Sequence, residues 1–147
     1  MAMIKAEITA GTLLEPFSKH IEQARINLFE TWGSDPSAGE GGNYHTDKDM
    51  AKEALGGFEK PMASGRMSNE FVLQALSQWF GRESVVHSAR VDLRYLVPVV
   101  AGDQLTINGT VVYSRERDSG TSVNTEVWIE NQKAQKVAVG TASVIIQ

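Results

Sequence analysis

Apolar residues recur along this chain at two different periods, and the change of period divides it in two. In the first half they fall three and four apart. Residues 20–32 place Ile21, Ala24, Leu28, Phe29 and Trp32 on one helical face, and Gly33 ends the run. A second helix opens at Asp47, whose side chain can cap the free N–H groups of KDMAKEAL. Met50, Ala51, Ala54 and Leu55 form its stripe, and Gly56 is a natural stop. The third helix, RMSNEFVLQALSQWFG, is the most apolar. Val72, Ala75, Leu76, Trp79 and Phe80 follow the i, i+3, i+4, i+7, i+8 pattern, and Phe71 and Leu73 add apolar surface off that stripe. A helix apolar on more than one face is usually buried, so this one is expected at the centre of the domain.

From Ser84 onward the period becomes two. Ala89, Val91, Leu93 and Tyr95 alternate with polar residues, and Pro98 breaks the strand. Leu105, Ile107, Gly109, Val111 and Tyr113 alternate next, SRERDSGTS reads as a hairpin turn, and Val123, Thr125, Val127 and Ile129 make a third strand. After the turn ENQK, the last strand VAVGTASVII is apolar or small on both faces, which suggests cover on both sides. Helices followed by long antiparallel strands predict an α+β domain. Two Gly-rich loops interrupt the helical half: GSDPSAGEGGNYHTD and GGFEKPMASG. Long loops inside compact domains tend to carry function.

Composition narrows the classes. The chain of 147 residues suits a single domain spanning 1–147 with a core of its own. A net charge of -4 gives no general attraction to nucleic acid or anionic membrane. No apolar run approaches the roughly 20 residues that span a bilayer, and the N-terminus lacks a secretory h-region. A cytoplasmic location is therefore expected. With no cysteine and three scattered histidines, no metal-ligand cluster is expected. GEGGN lacks the Lys-Ser/Thr of a phosphate loop.

The segment NYHTDKDMAKEALGGFEKPMASGRMSNEF resembles the hydratase signature of MaoC-like dehydratases and (R)-specific enoyl-CoA hydratases. VDLRYLVPVVAGDQLTINGTV does so too, with Pro98, Val99, Gly102 and Asp103 in the expected order. The resemblance covers roughly residues 10–147. It implies a hot-dog fold, in which a curved antiparallel sheet wraps a long central helix and two units pair into a dimer. It also implies an acyl thioester substrate on coenzyme A or a carrier protein, with no separate cofactor. The implied reaction is reversible hydration of a 2-enoyl thioester.

On this resemblance His45 matches the catalytic histidine, and imidazole moves protons near neutral pH. The family's aspartate, five residues before the histidine, is replaced by Glu40, and its Asn-Pro pair falls on Gly42 and Asn43. Asp35, followed by Pro36, is a second candidate for the displaced carboxylate. Gly65 matches the glycine whose N–H, at the positive end of the central helix, stabilises an enolate oxygen. Asn43, Ser64, Arg66 and Met67 are assigned to substrate binding; Ser64 and Arg66 stand where the family often has histidine and methionine. Met62, Met67, Phe58, Trp79 and Phe80 are candidates for an acyl tunnel, with core packing the alternative. Asp47 is read as a helix cap, and His20 and His87 as structural. Three functions stay open: a hydratase or dehydratase, an acyl-thioester binding protein, and a retuned hot-dog enzyme such as an isomerase, cyclase or thioesterase.

Overall fold

Four of the five strands come from the alternating second half. The computed structural model describes residues 2–3, 5–33, 45, 48–49, 52 and 60–147. Its elements are β1 (Phe17–His20), α1 (Gln23–Gly33), α2 (Gly65–Phe80), α3 (Arg82–Ser88), β2 (Arg90–Tyr95), β3 (Gln104–Arg117), β4 (Gly120–Glu130) and β5 (Lys136–Ile146). The strands form one antiparallel sheet in the order β1-β3-β4-β5-β2. The class is α+β, as the pattern predicts.

The period of two decides which face is buried. On β3 Leu105, Ile107 and Val111 point to the core, and on β4 Val123, Thr125, Val127 and Ile129 do. Against that face lies α2, which buries Met67, Ser68, Phe71, Val72, Ala75, Leu76, Trp79 and Phe80. Phe71, off the main stripe, is buried with the rest. Gly109 lets this packing close up, because a Cβ there would stand 2.9 Å from the Trp79 ring. The indole N–H donates to the Glu15 carbonyl at 2.7 Å.

Three sequence expectations are corrected. The helix begins at Gln23 instead of residue 20, and Ile21 is buried just ahead of it. Its inner face carries Ile26 and Glu30, one turn apart, while Leu28 is 62% exposed. Residues 26 and 28 differ by about 200° around a helix, so a stripe phased on Leu28 faces solvent. Next, residues 82–88 form a short helix, not strand. Gly81 at φ 92° starts a new turn after α2, and the Ser88 hydroxyl donates to the Ser84 carbonyl. Last, the SRERDSGTS turn is tighter than expected: β3 runs to Arg117 and β4 restarts at Gly120, whose φ is 121°. Asp35, Glu40, Asn43, Asp47, Phe58 and the expected stripe of the second helix lie outside the described residues.

Candidate active site

A turn between β2 and β3 builds the floor of the site. Asp103 is buried, and both its oxygens accept: Oδ2 from the Val100 N–H at 3.0 Å, Oδ1 from Gln132 Nε2 at 3.0 Å. Gly102, at φ 97°, turns the chain so that its N–H reaches the Ile21 carbonyl. The fixed turn holds the segment before α2: Ala63 N–H donates to Val99 O at 2.7 Å, and Met62 bridges to Val100. This aims the Met62 carbonyl, which accepts from His45 Nδ1 at 2.7 Å. A carbonyl oxygen only accepts, so Nδ1 carries a proton in either charge state of the ring. The His45 carbonyl in turn accepts from Gln23 Nε2 on α1 at 3.2 Å.

The start of α2 forms the opposite wall. Ser64 is extended and makes no side-chain cap bond, so the first N–H groups of this 16-residue helix keep the positive end of its dipole. Gly65 sits under Tyr95, where a Cβ would stand 2.6 Å from the Tyr95 ring. The Tyr95 hydroxyl donates to Asn69 Oδ1 at 3.1 Å. A cavity of about 440 Å³ opens here, lined by His45, Ser64, Gly65, Ser68 and Tyr95 with the apolar Met62, Leu96, Val97, Val99 and Val137. Ser64 Oγ is buried without a hydrogen-bond partner among the described residues. One polar proton-transfer group, a helix N-terminus and an apolar wall can hold a small carbonyl compound and move a proton on it.

The structure thus brings His45, Ser64 and Gly65 together. Arg66 points elsewhere: its guanidinium lies 3.8 Å from Glu30 Oε2 and over the Phe29 ring at 5.8 Å, both on α1. Met67 is buried in the core and does not line the cavity; Trp79 and Phe80 are core as well, whereas Met62 does line it. Sequence reasoning missed Tyr95, which lines the cavity, and the burial of Glu30, which does not line it. A polar residue one turn from Ile26 on the inner face was the available signal for Glu30. A separate groove between β1, α2 and α3 contains Lys19, whose ammonium is held below the usual lysine range by burial and by nearby Arg25. Among the described residues no group of three His, Asp or Glu could hold a metal ion, and no helix is long and apolar enough to cross a membrane.

Residues 10–141 match a family described as MaoC like domain. No curated protein matches the sequence. Solved structures do. R-hydratase PhaJ1 from Pseudomonas aeruginosa is 20% identical with a TM-score of 0.73, over 96% of this chain and 83% of that one. The MaoC-like dehydratase from Rhodospirillum rubrum is 21% identical with a TM-score of 0.76, over 99% and 97%. The (R)-hydratase from A. caviae, involved in PHA biosynthesis, is 20% identical with a TM-score of 0.73, over 94% and 96%. Likeness at these identities establishes the fold, the hot-dog arrangement that the resemblance implied.

Proposed function

The chain belongs to the family of MaoC-like domains, and from that premise we propose that it is a hydro-lyase for acyl thioesters, adding water to a 2-enoyl thioester and removing it from a 3-hydroxyacyl thioester. The observation that carries this is the cavity in which His45, held at Nδ1 by the Met62 carbonyl, lies with the Gly65 end of α2.

In the hydration direction the water oxygen bonds to C3, and the C2=C3 π electrons move toward the thioester carbonyl. Charge collects on that oxygen, where the Gly65 N–H and the dipole of α2 stabilise it. A carboxylate takes the proton released by water; the sequence offers Glu40 and Asp35 for this. Protonated His45 gives its Nε2 proton to C2 as the carbonyl re-forms. The carboxyl then returns its proton to the imidazole through solvent, which closes the cycle. Ser64 binds a polar group of the substrate inside the cavity, and Asn43 contributes to binding around it. Coenzyme A or a carrier protein belongs to the substrate, and no further cofactor takes part. The working unit is a cytoplasmic homodimer.

One observation favours a second reading. The carboxylate and Asn-Pro positions before His45 are Glu40, Gly42 and Asn43. A chain altered there could bind acyl thioesters without hydrating them. Loss of enoyl absorbance, screened over short and medium 2-enoyl-CoA substrates, separates the two. Turnover supports the hydro-lyase. Thermal stabilisation by the same compounds without turnover supports binding alone.

A further inference from the structure

Two serines at the start of α2 forgo the partners that serines in their positions normally take. Ser64 stands at the N-cap, where a hydroxyl usually accepts from the first free N–H groups of the helix. It makes no such bond, and its Oγ is buried without a partner among the described residues. Ser68, one turn later, is 5% exposed. A serine inside a helix commonly donates to the carbonyl four residues back. Ser77 and Ser88 do so, to Leu73 at 3.0 Å and to Ser84 at 2.6 Å. The Ser68 hydroxyl makes no such bond and lies on the cavity wall. A buried hydroxyl left unpaired is destabilising, so two on one wall mark the place of an absent polar group.

Their surroundings say what that group is. Ser64 and Ser68 are spaced i, i+4 on one face of α2, and both line the cavity of about 440 Å³ beside Gly65. They stand about 6 Å apart along the helix axis, the reach of roughly five acyl carbons. On the next turn Phe71, Val72 and Ala75 are buried and do not line the cavity, so its α2 wall ends at Ser68. Val97, Val99 and Val137 contribute apolar surface. Among the described residues no lysine or arginine lines it: Arg66 turns to Glu30, and Lys60 Nζ donates to the Ala101 carbonyl at 3.4 Å. Two hydroxyls without a nearby cation suit a neutral group that both donates and accepts, which is another hydroxyl.

We propose that the substrate's acyl group is short and carries a hydroxyl of its own beyond C3, held by Ser64 and Ser68 while the thioester carbonyl meets the Gly65 N–H. This rests on the hydro-lyase reading and names its substrate class. Ser64 and Ser68 are then the residues that set specificity.

The test compares kcat/KM for a five-carbon 2-enoyl-CoA ending in a methyl, a hydroxymethyl or a carboxyl group, and for an unsubstituted eight-carbon one. Wild type is expected to favour the hydroxymethyl end over the methyl end by about 10-fold or more, and to be slower on the carboxyl end and the longer chain. Ser64→Ala and Ser68→Ala should each lower the hydroxymethyl-to-methyl ratio by about 10-fold. Both variants should keep the wild-type melting temperature, because neither hydroxyl has a protein partner to lose. The proposal is overturned if wild type prefers the methyl end, the carboxyl end or the longer chain. It is also overturned if the variants slow the methyl and hydroxymethyl compounds in equal proportion, which would put the serines on the adding water or in folding. A wild type that hydrates none of the compounds defeats the hydro-lyase reading and this one with it. An active wild type that treats the methyl and hydroxymethyl ends alike defeats this one alone.

Discussion

Gly65 shows how one missing methyl group serves both packing and chemistry. Tyr95 covers it so closely that a Cβ would meet the ring at 2.6 Å, while its N–H heads α2 beside the cavity. Gly65→Ala is expected to cost about 1–3 kcal/mol in denaturant unfolding and to lower kcat/KM. Adding Tyr95→Ala relieves the clash, so the double variant should recover stability. Recovery of the rate depends on where the helix N–H returns. His45 and Gly65 were legible in the sequence as candidates, because both fall in the segment that resembles the family. The Tyr95 cover of Gly65, the Met62 carbonyl under His45 and the Glu30–Arg66 pair were not. Each joins residues 17 to 36 positions apart, and a one-dimensional pattern does not report such pairs.

At the level of elements, the 60–64 segment is held in place by the turn at Val97–Asp103. Asp103→Ala removes the acceptor of the Val100 N–H and of Gln132 and is expected to destabilise by about 1–3 kcal/mol, read from the urea midpoint at unchanged slope. His45, hung on Met62, should lose activity with it. The long alternating strands were legible because one residue in two must face α2. The phase of α1 was not: apolar residues occur around much of the helix, and burial chose Ile26 and Glu30 over Leu28. The segment from Ser84 onward read as strand, yet Gly81 at φ 92° separates α2 from a second short helix, Arg82–Ser88, that precedes β2. On β1, burial lowers the Lys19 ammonium, so its charged form is disfavoured in the folded state. That penalty is fully present below the folded pKa and fades as pH rises toward the ordinary lysine value of 10.5. Lys19→Met should flatten this alkaline rise in stability, measured by thermal unfolding across pH.

For the whole molecule, the sheet order leaves β1 and β2 as outer strands. An uncovered edge presents a row of unpaired backbone groups, and pairing with a second copy is one way to satisfy them. Sedimentation is expected to give about twice the 16.1 kDa chain mass; a monomer at micromolar concentration would contradict the dimer. The central claim concerns chemistry, and its most direct measurement compares wild type with His45→Ala in the hydration of a 2-enoyl-CoA, with circular dichroism confirming that both are folded. A folded variant slowed by about 10²-fold or more is the predicted result. Equal turnover by the two proteins would contradict it.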